Sequence, residues 1–130
     1  MDRPANARYS ESHEWASVDG DIVTLGVTDF AIEHLGDLVF VDLPDTGTDV
    51  EKGGNICEIE SVKAVGEVFS LVSGTIEAVN SGLADETGPL SESPYGDGWL
   101  VKVKASDLSE LESLMDLAAY EKHLETADPG

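Results

Sequence analysis

The chain has 130 residues, 41% of them apolar, which suits one domain with a core able to fold without staples. Twenty-seven acids against seven bases leave a formal charge of −20 at pH 7, which argues against nucleic acid or anionic membrane surfaces as partners, since both would repel it. A single cysteine excludes an internal disulfide and a thiolate metal cluster, no apolar run reaches membrane-span length, and MDRPANARYSE has no apolar signal core, so a soluble, cytoplasmic protein is expected.

Residues 1–8 read as a flexible tail, polar and with Pro4, and residues 126–130 as its C-terminal counterpart; a single domain is expected over 9–125. The segment from Tyr9 to Trp15 leads into a first strand, Gly20-Asp21 into a turn, and Ile22 to Val27 into a second strand. A short helix near 28–35 follows: Thr28 caps it, Asp29 sits at its positive end, and Gly36 closes it in the left-handed conformation. Leu38 to Leu43 is a strand ended by the turn Pro44 to Gly47, and Gly47 and Gly53 bracket a valine, Val50, expected to be buried.

Ile56–Ser61 and Glu67–Val72 are rich in apolar and β-branched residues and read as strands, with Cys57 as a buried small hydrophobe. Asn80 to Gly98, dense in Ser, Gly, Pro and acids, reads as loop with at most a helical turn near Ser81–Asp85. Trp99 to Lys104 alternates as a half-buried strand whose Lys102 and Lys104 form a solvated face. Leu108, Leu111, Leu114 and Met115 recur at helical spacing, Asp107 and Glu110 fit a capping box, and Asp116 caps a second helix; these C-terminal helices, near 107–125, are expected to cover the sheets.

The residue that stands out is Lys63. Its segment, Val62 to Gly66, joins two strands tightly, so the lysine stands at a hairpin tip between Glu60 and Glu67. Lysines in β-turns are most often solubilising charges. A catalytic lysine needs a desolvated ammonium in a pocket, which a hairpin tip does not provide; a lysine displayed this way suits modification by another enzyme.

The segment ESVKA at Glu60 to Ala64, with Gly74 eleven residues past the lysine, resembles the H proteins of the glycine cleavage system. Further matches fall in the same order as in that family: SHEW at Ser12 to Trp15, GVTDFA at Gly26 to Ala31, LGDLVFVDLP at Leu35 to Pro44, GTIEAVN at Gly74 to Asn80 and PYGDGWL at Pro94 to Leu100. The resemblance implies a mainly β fold, a flattened barrel-sandwich hybrid of two antiparallel sheets, as in the biotinyl and lipoyl domains. It implies a lipoyl group in amide linkage on Lys63, Glu60 and Gly74 as recognition features for the lipoylating enzyme, and a cleft of Ser12, Glu14, His34 and Glu67 that shelters the loaded arm.

The implied function is a non-catalytic shuttle, a monomer. It accepts an aminomethyl group from glycine decarboxylase, a pyridoxal phosphate enzyme, presents it to the tetrahydrofolate-dependent aminomethyltransferase, and is reoxidised by the flavin enzyme dihydrolipoyl dehydrogenase. Glu14 read alone is a solvated carboxylate, and His34 read alone is a helix C-terminal histidine favoured by the dipole. Position 67 is usually aspartate in the family and is Glu67 here; Leu71 and Glu92 replace a common proline and asparagine. Two related readings are a lipoyl donor to other carriers and a lipoyl domain of 2-oxoacid dehydrogenases, which usually shows DKA at the lysine. Biotin carriers usually show MKM. A Schiff-base enzyme using Lys63 is the remote alternative, disfavoured because the sequence offers no phosphate-binding loop. The acid excess fits a solubility device, basic faces on partners, or adaptation to high salt.

Overall fold

A computed structural model describes residues 3–126. The strands are β1 (Arg8–Tyr9), β2 (Glu14–Asp19), β3 (Ile22–Val27), β4 (Leu38–Asp42), β5 (Asp49–Val50), β6 (Asn55–Ser61), β7 (Val65–Phe69), β8 (Gly74–Val79) and β9 (Val101–Ala105). The α-helices are α1 (Asp29–Leu35), α2 (Gly88–Glu92) and α3 (Leu117–Thr126), with 3-10 segments at Ser81–Ala84 and Leu108–Ser113. Among the described residues no helix is long and apolar enough to cross a membrane.

Two antiparallel sheets form, ordered β1-β2-β3-β9-β8-β5 and β4-β6-β7, without closing into a continuous barrel. This is the expected two-sheet, mainly β architecture. Register explains the core: Val23 faces Val103, which faces Ile76, and Leu25 faces Val101, so β-branched and Leu side chains stack in rows across the larger sheet. From the smaller sheet Val41, Ile59 and Val68 meet them in one buried cluster. Fully burying each such side chain contributes about 1.5–3 kcal/mol. A second cluster, Ala7, Tyr9, Trp15 and Tyr120, is walled by Tyr95, Trp99, Met115, Leu117 and Leu124, so α3 covers a different part of the molecule.

Local signals largely behave as read. Thr28 is extended (φ −78°, ψ 163°) and accepts from the Ala31 N–H, and Asp116 accepts from the Ala119 N–H at the start of α3. Gly36 ends α1 at φ 80° but ψ −134°, outside the left-handed helical basin, with its N–H returned to Ile32 O at 3.1 Å. Val50 is only half-buried, because β5 is a two-residue edge strand.

Other readings are corrected. The stretch from Asn80 to Gly98 contains α2 as well as the 3-10 turn, entered through Pro89 in its first turn and anchored by the buried Leu90. Glu110 does not complete a capping box: its carboxylate takes the Ser73 N–H (2.7 Å) and hydroxyl (3.0 Å), so a tertiary partner outcompetes the local one. Lys102 is not merely solvated, since its ammonium lies 5.0 Å from the centre of the Trp99 ring. Within residues 1–8, Arg3 makes a two-pronged pair with Asp29 (2.9 and 3.0 Å), Ala7 is buried and Arg8 starts β1, so packing begins ahead of Tyr9. Of residues 126–130, only the backbone of Thr126, the end of α3, falls within the described residues.

Candidate functional site

Strands β6 and β7 pair from Asn55↔Phe69 up to Glu60↔Val65, and Lys63 stands exposed on the loop that joins them. That loop is fastened. The Ser61 N–H donates to Ala64 O (2.8 Å), the Ser61 hydroxyl bonds the Ala64 carbonyl and amide at 3.0 Å each, and the Val62 N–H donates to Asp37 O (2.9 Å) in the segment after α1. A Cβ on Gly36 would lie 3.8 Å from Lys63 Cε, so the lysine stem runs beside the end of α1.

A cleft of about 280 Å³ opens next to it, between α1 and β7. Ser12, His13, Phe30, His34 and Glu67 line it together with apolar Val27, Ala31, Leu35, Ile59 and Val68. Gly66 forms part of its floor, where a Cβ would press on Leu35 Cδ2 at 3.2 Å; glycine lets α1 sit down on β7.

Three of the four residues expected in the cleft therefore meet there: Ser12, His34 and Glu67. Glu14 does not line it. Its carboxylate is buried (1% exposed) behind Ser12, where one oxygen accepts from the Ser10 and Ser12 hydroxyls, both at 2.5 Å, and the other accepts from the Phe69 N–H at 3.2 Å. The reading of Glu14 as a solvated carboxylate is equally corrected. Glu14 fixes the Ser12 hydroxyl and ties β2 to the end of β7.

His34, in the last turn of α1, stacks on Phe30 with centroids 4.7 Å apart, so its helix-terminal place and its place in the cleft coincide. Glu60 is exposed in the row Phe40–Glu60–Val65 across the smaller sheet, close to the hairpin end. Gly74 lies in the other sheet, paired with Val50 and Ala105; a Cβ there would sit 2.1 Å from Lys104 O, so its missing side chain lets β9 approach.

His13 and Tyr120 were not singled out by sequence. The His13 Nδ1 lies 2.8 Å from the Tyr120 hydroxyl, which is 2.7 Å from Thr28 Oγ1. Burial, then the neighbouring His123 and His34, push the His13 pKa below its usual 6.5. Burial raises the Tyr120 phenol to about 12 and the Cys57 thiol to about 12, so both are neutral at pH 7 and Cys57 is no thiolate nucleophile. Among the described residues no group of His, Cys, Asp and Glu is placed to hold a metal ion.

The sequence model of the family described as "Glycine cleavage H-protein" matches residues 7–127. The chain is 48% identical over 121 residues to the mitochondrial glycine cleavage system H protein of Oryza sativa, covering 93% of this chain and 74% of that one. It is 47% identical over 122 residues to the H protein of Parvibaculum lavamentivorans (94% and 98% covered), and 48% over 125 residues to a probable H protein of Haloarcula marismortui (96% and 98%). A crystal structure of an H protein from Mycobacterium marinum superposes with a TM-score of 0.86 at 33% identity, covering 95% of this chain and 99% of that chain. With an exposed hairpin lysine beside a lined cleft, and matches across nearly its whole length, the chain belongs to the glycine cleavage H-protein family, lipoyl carriers rather than catalysts.

Proposed function

We propose that Lys63 is the lipoyl attachment residue of this carrier and that the cleft between α1 and β7 shelters the loaded arm. The observation that carries the reading is the adjacency of the two: an exposed lysine on a loop pinned by Ser61 and Asp37, with its stem beside Gly36, the chain neighbour of the cleft-lining Leu35. When attached, the lipoyl group supplies a dithiolane that takes up cargo and is reset by thiol–disulfide exchange. The residues present fit such an arm. Val27, Leu35 and Val68 offer apolar wall to its hydrocarbon, while Ser12, His34 and Glu67 offer polar groups to a cationic end. Amide formation also removes the Lys63 charge, so the arm can lie on protein without desolvating an ammonium.

The partners of the reading are glycine decarboxylase, the tetrahydrofolate-dependent aminomethyltransferase, dihydrolipoyl dehydrogenase and a lipoylating enzyme, meeting a cytoplasmic monomer. Val39, Phe40, Val62 and Val65, all exposed apolar residues of the smaller sheet and its hairpin, favour protein contacts on that face. The test is intact mass and peptide mapping after expression with a lipoylating enzyme and lipoate. One lipoyl increment on Lys63 is expected. An unmodified Lys63, or a biotinyl increment, overturns the reading.

A further inference from the structure

One wall of the cleft is an imidazole with an unusual anchorage. His13 sits at φ 71°, in the left-handed region that residues other than glycine rarely adopt. Its backbone is held from both sides: its N–H donates to Ser10 O at 3.1 Å, and its carbonyl accepts from the Thr28 N–H at 2.9 Å. The ring packs on Phe30 with centroids 4.5 Å apart. With Nδ1 against the Tyr120 hydroxyl, and Tyr120 fully buried, Nε2 is the ring nitrogen left for an occupant of the cleft.

The Tyr120 hydroxyl has one proton and stands between Nδ1 and Thr28 Oγ1, so two arrangements satisfy the chain. In one, Thr28 donates to Tyr120 and Tyr120 donates to Nδ1, leaving an N–H at Nε2. In the other, the Nδ1–H donates to Tyr120 and Tyr120 donates to Thr28, leaving a lone pair at Nε2. A cationic cargo calls for the second, and an imidazolium, with donors only, would repel it.

We infer that His13 is a further arm-holding residue of the cleft, its Nε2 accepting a hydrogen bond from the cationic end of the loaded arm, and that Tyr120 of α3 is its positioning residue. The inference rests on the cleft being the shelter of the arm. It gives α3, distant in sequence from the lysine, a part in how long cargo is kept.

The titratable groups around the His13 ring are Tyr120 from α3, its hydroxyl 2.8 Å from Nδ1, His123 from α3 with its ring centre 6.0 Å away, His34 from α1, Glu67 from β7, and Glu14 of β2 behind Ser12. Burial and the two histidines favour neutral His13 at pH 7, so its acceptor is present at neutral pH and lost as pH falls through a value below 6.5.

Two variants test this. His13→Asn tolerates the left-handed backbone and removes the Nε2 acceptor, and Tyr120→Phe keeps the ring and removes the hydroxyl. In the unmodified protein, ring-nitrogen NMR should find His13 neutral at pH 7, and Tyr120→Phe should change its tautomer ratio. In the lipoylated protein loaded with an aminomethyl group, cargo lifetime should shorten about tenfold in His13→Asn and about threefold in Tyr120→Phe, the scale of one charge-assisted and one neutral hydrogen bond. The parent's lifetime should drop on the acid side, and His13→Asn should flatten that drop. Parent-like lifetimes and pH profiles in both variants would overturn the inference while leaving the shelter intact. A parent that loses cargo as fast as urea-unfolded protein would sink the shelter itself, and this inference with it.

Discussion

Replacing Glu14 by Ala tests the buried carboxylate most directly. The change removes the acceptor of three donors: the Ser10 hydroxyl, the Ser12 hydroxyl and the Phe69 N–H. The two hydroxyls can turn toward each other, since their oxygens are 3.3 Å apart. The Phe69 amide has no such escape, and leaving a buried donor unpaired costs about 1–3 kcal/mol. The space vacated by the carboxyl adds about 1 kcal/mol. A total of about 3 kcal/mol corresponds to about 10 °C in Tm for a chain of this size. Urea unfolding followed by the fluorescence of buried Trp15 measures it. A loss under about 0.5 kcal/mol, the range of surface substitutions, would refute the placement of Glu14 as a tie between β2 and β7. The milder Ser12→Ala leaves the Ser10 hydroxyl and the Phe69 N–H on the carboxylate, so it should cost less stability than Glu14→Ala while shortening cargo lifetime, which separates the tie from the cleft surface it supports.

Glu60→Lys should slow lipoylation of Lys63, by about tenfold, with Tm unchanged, because Glu60 is exposed beside the hairpin; normal lipoylation kinetics would remove Glu60 from recognition. Gly74→Ala drives a methyl onto Lys104 O and should cost more than about 2 kcal/mol; lipoylation should then recover when measured at a temperature where the variant is folded, whereas a persistent defect in folded protein would mean that the enzyme reads Gly74 directly. Cys57, 2% exposed with its thiol pushed up to about 12, should react with a thiol reagent only after unfolding, and rapid labelling of native protein would contradict its burial. Molar potassium chloride should raise Tm by screening the charge of −20; a flat or falling response would count against self-repulsion as a stability term.

The parts of this molecule that sequence alone discloses are those written in neighbouring residues. The Thr28 cap, the Gly20-Asp21 turn and the hairpin bearing Lys63 each depend on contacts within a few positions. Glu14 shows the limit. Its strand is buried on both sides over Glu14, Trp15 and Ala16, because the second aromatic cluster covers what would otherwise be a solvent face, so the alternation that reports burial is erased. Helix α2 was hidden in a loop-like composition, although Pro89 after Gly88 is a helix-start signal that could have found it. The Tyr120 contact with His13 spans 107 residues and leaves no local trace; the only hint was the place of His13 inside SHEW. Glu110 looked like a cap because nothing in its neighbourhood announces Ser73.

The pinned loop under Lys63 has a kinetic meaning. Val62 is bonded to Asp37 and Ser61 closes on Ala64, so an arm attached at Lys63, as proposed, would swing from a fixed pivot, its reach set by the tether and not by breathing of the sheet. Every docked station would then meet the reactive end at an effective concentration fixed by tether length and by the site's distance from the pivot. Softening the loop, as Ser61→Gly would, blurs that distance and so changes the concentration at every station at once, through a residue that lies on the carrier's own hairpin.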